Sequence, residues 1–264
     1  QHTRHRLKEG ILLTAEENTT LTQTGPGTPM GSVFRSYWLP VLLSRELAVD
    51  GAPQRIRVMH EDFIAFRDSD GKVGIVEPRC SHRGANLFFG RNEQCGLRCA
   101  YHGWKYATDG SCIDIPTASS DLAEKIKPKA AIRALKVQEY GDIIWAHFGK
   151  GDSAVPKFEF AELPADQRFV SKKFQQCNWA QATEGGLDTA HFSYLHANID
   201  GAEKAPLLPS KGTNESPYTA RYRWLIEDGS PRFDVLKHAS GLLLGAARNA
   251  DNDQLYWRGT PFLM

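Results

Sequence analysis

Two short stretches, CSHRGA and CAYHGW, constrain this chain more than any other part of it. The first supplies Cys80 and His82, and the second supplies Cys99 and His102. Short strand-like segments such as RIRVM, FIAFR, VGIVE and IIWAHF surround them, and closely spaced short strands predict a small β-sandwich or barrel. Both stretches therefore fall in loops at strand tips, where two facing loops can hold a metal group.

The mixed pairing of cysteine with histidine limits which metal group these loops can bind. A structural Cys2His2 zinc site is the main alternative, but zinc fingers usually place two cysteines at one end and two histidines at the other. One cysteine and one histidine from each loop suit a [2Fe–2S] cluster, in which two thiolates hold one iron and two imidazoles hold the other. Gly84 and Gly103 allow both loops to turn tightly.

The pattern Cys-X-His followed by Cys-X-X-His, with HRG and YHGW, resembles the Rieske motif of the oxygenase type. The respiratory type has an additional cysteine in each loop, whereas residues such as Ala85 stand in those places here. The resemblance implies that Trp104 shields the cluster and that Arg83 braces the first loop. The implied cluster ligands are Cys80, His82, Cys99 and His102. Three further cysteines are interpreted as structural: Cys95, Cys112 and Cys177.

A second constellation lies in EGGLDTAHFSYLH, a segment that is predicted to be helical apart from its glycine pair. Asp188 and His191 are three residues apart and would be neighbours on a helix face. His191 and His196 differ by about 140° on an ideal helix, so they can face one metal only if the helix is distorted or ends between them. Two histidines and one carboxylate form the iron site of non-haem oxygenases. An amphipathic helix with two surface histidines is the alternative.

Together the two constellations resemble the α subunit of Rieske non-haem iron oxygenases, from about residue 30 onward. The segments LTQTGPGTPMG, LFFGRNEQCGLRCAYHGWKY and EGGLDTAHFSYLH are most similar to the phthalate-dioxygenase group, which acts on aromatic carboxylates. The resemblance implies mononuclear Fe(II) on His191 and His196. It also implies that Asp188 binds His191 and bridges to His102 of a neighbouring subunit, in a trimer or hexamer.

The resemblance also implies a third iron ligand, an aspartate more than 100 residues after the histidine pair. Asp251 and Asp253 lie too close in sequence and in a predicted turn. We therefore expect the third carboxylate ligand to be absent from these 264 residues, and the catalytic domain to be incomplete at its C-terminus.

Three regions are predicted along the chain. Residues 1–33 are expected to be a tail, with GPGTPMG unable to form a helix. Residues 34–148 are expected to be the all-β Rieske domain. Residues 149–264 are expected to be an α+β catalytic domain of helix-grip type, which begins with a linker and contains one helix followed by an antiparallel sheet. Strands are predicted over 168–179, 218–228, 233–238, 241–248 and 254–259.

Bulk properties narrow the partners and the compartment. The net charge of +1 gives no argument for nucleic acid, and no apolar run approaches the roughly 18 residues that a membrane span needs. Five cysteines without a secretory signal favour a reducing, cytoplasmic compartment. Arg221, Arg223 and Arg258 could bind a carboxylate, but each is more readily explained as a surface or structural arginine, so the substrate-binding residues remain unknown.

The sequence thus predicts the oxygenase component of a multi-component Rieske oxygenase. Electrons from NAD(P)H would arrive through a separate flavin and iron–sulfur reductase, since the chain has no glycine-rich dinucleotide fingerprint. With O2 the enzyme would hydroxylate or dihydroxylate an aromatic carboxylate of phthalate or benzoate type. The alternatives are a Rieske monooxygenase or O-demethylase, a Rieske electron carrier with a non-catalytic binding module, and a zinc-stabilised interaction protein.

Overall fold

The computed structural model describes residues 13–149, 154–196, 217–238 and 241–263. The chain divides between Phe174 and Gln175 into two compact units. This division falls later than the boundary before residue 149 that the sequence suggests, and residues 154–174 lie with the first unit. The functional domain bounds 34–148 and 149–264 stay a prediction, and the predicted tail over residues 1–12 lies outside the described residues.

Short antiparallel strands make up most of the first unit. They are β1 (Trp38–Leu43), β2 (Gln54–Val58), β3 (Glu61–Arg67), β4 (Val73–Val76), β5 (Arg91–Asn92), β6 (Leu97–Arg98), β7 (Lys105–Tyr106), β8 (Cys112–Asp114), β9 (Lys136–Tyr140) and β10 (Ile143–His147). They form three sheets, ordered β1-β10-β9, β2-β3-β4 and β5-β6-β7-β8. The first Cys/His stretch lies between β4 and β5, and the second connects β6 to β7, as the sequence predicts.

Strand β3 explains why this unit is layered. Alternate side chains of a strand point to opposite faces, and both faces of β3 are buried. Ile64 and Phe66 belong to the core beneath the Cys/His loops, whereas Phe63 and Ala65 belong to a second core. A strand covered on both sides has a continuous apolar run, as FIAF does here, and it supplies a rigid base for the loops.

Two helices precede the strands and correct the prediction for this region. Helix α1 is Ala15–Thr22 and helix α2 is Pro29–Arg35. The prediction that GPGTPMG cannot be helical was wrong from Pro29 onward, because proline is favoured in the first turn of a helix, where its missing N–H costs nothing. Thr28 caps α2 by accepting a hydrogen bond from the N–H of Gly31. A further helix, α3 (Ser120–Ile126), follows β8.

The second unit combines helices with one antiparallel sheet, which confirms the predicted α+β class. Its elements are α4 (Trp179–Leu187), α5 (Phe192–Leu195), α6 (Pro217–Glu227), β11 (Arg232–His238), β12 (Gly241–Asn249) and β13 (Leu255–Leu263). Strand β12 is central and pairs with both neighbours. The predicted strands over 233–238, 241–248 and 254–259 are confirmed.

Two other strand predictions for this region were wrong. Residues 168–178 form no strand and Trp179 begins helix α4, while residues 218–227 lie in helix α6. The alternation of YTARYRWLIE suggests a strand, but its Ala, Arg and Leu residues are good helix formers, and Pro217 directly before it occupies the first helical position. None of the helices in the described part of the chain is long and apolar enough to cross a membrane.

Candidate metal centres

The two Cys/His loops share one backbone design. In the first, the N–H of Cys80 donates to the carbonyl of Ala85 at 2.9 Å, and the N–H of Gly84 donates to the carbonyl of Cys80 at 2.9 Å. Cys99 and Gly103 make the same two bonds in the second loop, at 2.8 and 3.0 Å. Both glycines have positive φ, 68° and 76°, a conformation that glycine adopts without strain. The two loops, residues 80–85 and 99–104, therefore have similar backbone conformations, and we call them the two jaws.

An arginine fixes each jaw from the residue before its cysteine. Arg79 Nη1 donates to the carbonyl of Gly84 at 3.1 Å, and Arg98 Nη1 donates to the carbonyl of Gly103 at 2.7 Å. Arg83, which was expected to brace the first loop, is exposed instead. The repeated Arg-Cys dipeptide is the sequence signal for this role, and neither arginine was among the predicted site residues.

The four predicted ligands pair by type across the jaws. The Cys80 and Cys99 side chains are both 3% exposed, whereas the rings of His82 and His102 lie with centroids 4.6 Å apart. Trp104 stacks on His82 at 4.6 Å with an interplanar angle of 3°, so it covers one side of the histidine pair. The buried indole N–H of Trp104 has no hydrogen-bond acceptor among the described residues.

The electrostatics of the loops favour neutral side chains before metal binding. Burial raises the pKa of the Cys99 thiol, and the nearby Cys80 raises it further, against a lowering by the backbone N–H of Tyr101. Burial, followed by the charges of His102 and Arg83, lowers the pKa of His82. A metal group would therefore displace a thiol proton and meet an unprotonated imidazole.

These residues fit the ligand set of a [2Fe–2S] cluster. Among the described residues, no three His, Cys, Asp or Glu side chains converge on one metal position. A Rieske cluster needs only two protein ligands on each iron, two thiolates on one and two imidazoles on the other. Two imidazoles bound to one metal through nitrogens at about 2.1 Å bring their centres to about 5 Å, which agrees with the His82–His102 separation.

The second constellation lies where helix α4 ends. Asp188 is the C-cap of α4, and its carboxylate accepts from the N–H of Ala190 at 2.7 Å and from the N–H of His191 at 3.3 Å. The same carboxylate lies 3.1 Å from His191 Nδ1. The glycine pair, which was expected to interrupt the helix, lies within α4.

A break in the helix solves the spacing problem of the two histidines. His191 and His196 flank the short helix α5, and their ring centroids are 5.2 Å apart. Helix α4 ends before His191, and the four residues of α5 separate the two histidines, which are its N-cap and C-cap residues. The contact of Nδ1 with Asp188 leaves Nε2 of His191 for a metal.

Hydrogen bonds keep Asp188 ionised. Burial raises the pKa of this carboxyl, but the N–H of Ala190 and the ring and N–H of His191 together hold it below its ordinary value. The pair thus combines an imidazole with a charged carboxylate, as metal-binding histidines commonly do.

Arg248 holds this turn from below, and the sequence analysis did not single it out. It lies on the central strand β12 and is 1% exposed. Its guanidinium donates to the hydroxyl of Thr189 at 3.1 Å, to the carbonyl of Thr189, and to the carbonyl of Asp228 at 3.2 Å. Burial lowers the pKa of Arg248. An arginine in an otherwise apolar strand, LLLGAAR, was the available signal.

The two histidines fit one iron, and the third ligand is not among the described residues near them. Asp251 forms an ion pair with Arg223 Nη2 at 2.6 Å, so its carboxylate is engaged elsewhere. Asp253 lies in the same turn. The absence of the third ligand from this chain stays a prediction.

The three candidate arginines have different environments. Arg223 is 4% exposed and pairs with Asp251 and Glu227, so its role is structural, and Arg221 is exposed on helix α6. Arg258 on β13 stacks over the ring of Phe192 at 4.6 Å. Because Phe192 belongs to α5, Arg258 contacts the segment between the two histidines.

The remaining cysteines also differ. Cys112 is buried in the first core, as a structural cysteine would be, and Cys95 is half-buried. Cys177 is exposed, and it borders an open cavity of about 700 Å³ together with Asp188 and His191. The structural interpretation of Cys177 therefore has no support from packing.

Comparison with known proteins identifies relatives of this chain. Residues 37–140 match the family described as Rieske [2Fe-2S] domain. The chain is 35% identical over 250 residues to the 3-chlorobenzoate-3,4-dioxygenase oxygenase subunit of Comamonas testosteroni, covering 94% of this chain and 55% of that protein. It is 35% identical over 262 residues to the phthalate 4,5-dioxygenase oxygenase subunit of Pseudomonas putida, covering 96% and 57%.

The fold also has solved counterparts. A crystal structure of dicamba monooxygenase bound to dicamba matches with a TM-score of 0.57 and 21% identity, covering 81% of this chain and 56% of that one. The fold and the two Cys/His loops together define the class of protein, which is a Rieske iron–sulfur protein. The chain belongs to the Rieske non-haem iron oxygenases and is phthalate-dioxygenase-like. It spans about half the length of the curated relatives it matches.

Proposed function

We propose that this chain is part of the oxygenase component of a multi-component Rieske oxygenase. The protein would use O2 and electrons from a separate reductase to hydroxylate or dihydroxylate an aromatic carboxylate. The observation that carries the proposal is the presence, in one chain, of the paired Cys/His jaws and of the Asp188–His191–His196 turn. An electron carrier would need only the first of these sites.

Each site would hold its group through side chains that already face one another. Cys80 and Cys99 would bind one iron of the cluster, and His82 and His102 the other. His191 through Nε2 and His196 would bind the mononuclear iron, together with a carboxylate from outside the described residues. When bound, the cluster supplies single electrons and the mononuclear iron activates O2.

Asp188 would have two tasks in this arrangement. Its carboxylate keeps Nδ1 of His191 protonated and fixes the ring, so that Nε2 points to the metal. We also propose that it bridges to His102 of a second copy of the chain. This bridge requires head-to-tail contacts that close into a ring, and the resemblance to oxygenase α subunits implies that the ring is a trimer, alone or paired in a hexamer.

The substrate class is supported by two observations. The relatives named above are described as acting on 3-chlorobenzoate and phthalate, both aromatic carboxylates. Arg258 is the one of the three candidate arginines that contacts the α5 segment, so it is the candidate for pairing with a substrate carboxylate. A cytoplasmic location is also proposed, and the five unpaired cysteines support it.

The test uses the full-length protein, purified anaerobically and assayed with a flavin and iron–sulfur reductase. We expect Rieske absorption and EPR spectra, additional mononuclear iron, and O2-dependent product from a benzoate or a phthalate. Cys99→Ser should abolish the cluster spectra, whereas Cys177→Ser should keep them. His191→Ala should keep a reducible cluster but form no product. A reducible cluster without product on any aromatic acid would favour the electron-carrier alternative.

A further inference from the structure

The phenol of Tyr106 lies behind the first jaw and has three polar neighbours. Its Oη is 3.1 Å from Cys80 Sγ, 3.0 Å from Ser81 Oγ and 3.1 Å from the backbone N of Ser81. Ser81 Oγ is in turn 2.7 Å from the carbonyl oxygen of Ala130. Tyr106 and Ala130 are both buried, whereas Ser81 is exposed and its contacts with them are partly buried.

Three of these contacts need a hydroxyl proton, but only two such protons are available. A cysteine that binds iron is a thiolate, and a carbonyl oxygen has no proton, so both can only accept. Tyr106 and Ser81 supply one proton each. Once a cluster is bound, one of the contacts Tyr106–Cys80, Tyr106–Ser81 and Ser81–Ala130 is therefore without a proton at any moment.

The distances indicate which two contacts share one proton. The contact between Ser81 Oγ and the carbonyl oxygen of Ala130 is the shortest of the three, at 2.7 Å. A carbonyl oxygen can only accept, so this contact requires the Ser81 hydroxyl to donate. The Tyr106 oxygen already accepts from the Ser81 N–H, which makes it a poorer second acceptor for the serine proton. The Ser81 hydroxyl thus donates to Ala130. The Tyr106 proton is then divided between Cys80 Sγ and Ser81 Oγ.

We propose that Ser81 is a positioning residue that lowers the reduction potential of the cluster by competing with Cys80 for the Tyr106 proton. A hydrogen bond to a ligand sulfur stabilises the more negative, reduced cluster and raises its potential. A competing acceptor weakens that bond and lowers the potential, so the reduced cluster becomes a stronger electron donor. The inference rests on the proposed role of Cys80 as a cluster ligand.

The test is a mutant cycle read by the midpoint potential of the cluster in the full-length protein. Ser81→Ala removes the competing oxygen and should raise the potential. Tyr106→Phe removes the proton and should lower it. The double variant should have the potential of Tyr106→Phe alone, because Ser81 acts through the tyrosine. Ser81→Gly removes the same hydroxyl and serves if the alanine variant does not fold.

Two controls separate this role from a structural one. Ser81→Thr keeps the hydroxyl and should keep the wild-type potential. Ser111→Ala removes an exposed hydroxyl that bonds to Asp109 in the same unit, and it should leave the potential unchanged. Pulsed EPR of the reduced cluster in deuterated buffer should show a stronger exchangeable-deuteron coupling in Ser81→Ala than in the wild type.

The outcomes distinguish this inference from the proposed function. An intact Rieske spectrum with an unchanged or lowered potential in Ser81→Ala overturns the inference alone. A rise that persists in the Tyr106→Phe background overturns it as well, since the serine would then act by another route. A wild-type protein that holds no Rieske cluster overturns both the ligand assignment and this inference.

Discussion

The guanidinium of Arg248 is buried beneath the turn between Asp188 and His191, where it donates to both the hydroxyl and the carbonyl of Thr189. Thr189 directly follows Asp188, so one side chain from the central strand fixes the segment that presents the candidate iron ligand. Its hydrogen bonds go to carbonyls and a hydroxyl, and the nearby carboxylates of Asp228 and Asp188 offset part of the cost of burying its charge. The two hydrogen bonds to Thr189 indicate that Arg248 helps to hold this turn in place.

We expect Arg248→Met to weaken iron binding at the second site. The variant removes the buried charge, which favours folding, but it also leaves the carbonyls of Thr189 and Asp228 without their donor, which costs about 1–3 kcal/mol. Because these effects oppose each other, the global stability is a poor readout. Loss of a residue that orients a metal ligand commonly lowers metal affinity about 10–100-fold. Iron titration of the full-length apoprotein measures this.

The cluster gives an internal control, because its spectra should be unchanged in Arg248→Met. Arg221→Met removes an exposed arginine of the same unit and should bind iron normally. Arg248→Lys keeps the charge but cannot donate to Thr189 and Asp228 with a planar fork, so it should restore little. Wild-type iron affinity in Arg248→Met would show that the turn is held by other contacts.

The two loop glycines should respond differently to alanine. Both have positive φ, so each alanine costs about 1–2 kcal/mol of strain. At Gly84 an added Cβ meets no atom within 4 Å, whereas at Gly103 it would lie 2.7 Å from Pro116 Cγ. Gly103→Ala should therefore destabilise the first unit more than Gly84→Ala. Denaturant unfolding of the cluster-free protein measures the difference.

Gly71→Ala is the matched control, because it introduces the same backbone strain at a position outside the two cluster loops. Gly71 has φ 80° and open space around its Cβ position, and it lies in the turn between β3 and β4. It should lose about as much stability as Gly84→Ala, but the lifetime of the bound cluster should fall only in the loop variants. Equal cluster lifetimes in all three would contradict the role of the jaws in holding the cluster.

Local spacing made the cluster loops readable from the sequence. Residues Cys80 to Ala85 close a single turn through their own backbone hydrogen bonds, so the sequence of six residues determines the shape. The bracing arginines were missed because their target, a glycine carbonyl five residues later, carries no side-chain signal. The Ser81–Ala130 contact was unreadable for a different reason, since it joins positions 49 residues apart.

Helix α6 shows where local sequence patterns fail to predict the structure. Its alternating pattern predicts a strand, and the burial of Arg223 and Leu225 is compatible with a strand as well as with a helix. Pro217 and the helix-forming residues favour the helix, but the ion pair of Arg223 with Asp251 joins positions 28 residues apart and has no signal in the local sequence. The position of Arg248 beneath Thr189, 59 residues apart, is equally invisible in the local sequence.

The stability of the first unit should depend on pH through Glu139. Its carboxylate accepts two hydrogen bonds of 2.8 Å from Arg67, and this pairing, opposed by burial, holds the pKa of Glu139 below its ordinary value. A carboxyl with a lowered folded-state pKa contributes stability above its unfolded pKa, about 4.3. That contribution is lost as the pH falls through the lower, folded-state value.

Glu139→Gln should remove this part of the acid sensitivity. The variant should be less stable than the wild type at neutral pH, and the difference should shrink as the pH falls below about 4. Denaturant unfolding of the cluster-free protein at several pH values measures it, with Asp62→Asn as control. Asp62 pairs with Arg57 in a well-exposed bridge, which contributes little. A difference that stays constant with pH would contradict the assignment.

Asp188→Asn should separate the two metal sites. The amide keeps the shape of the side chain but removes the charge beside His191 Nδ1, so the ring is less firmly oriented. The cluster ligands are untouched, and the reductase should still reduce the cluster. Iron should remain partly bound, because both histidines are present. Loss of a residue that orients a metal ligand alone commonly costs about 10–100-fold. Product formation should fall by more than this, because the proposed bridge to a second subunit is lost as well.

Single-turnover kinetics on the full-length protein, with the cluster reduced beforehand, distinguish the two effects. If the bridge is real, cluster oxidation itself should slow in Asp188→Asn, even in samples replete with iron. Slow product with fast cluster oxidation would limit Asp188 to orienting His191. Asp234→Asn, on an exposed strand position of the same unit, controls for the loss of one negative charge. Wild-type rates of both steps in Asp188→Asn would make Asp188 an ordinary helix cap, and the electron-carrier alternative would regain support.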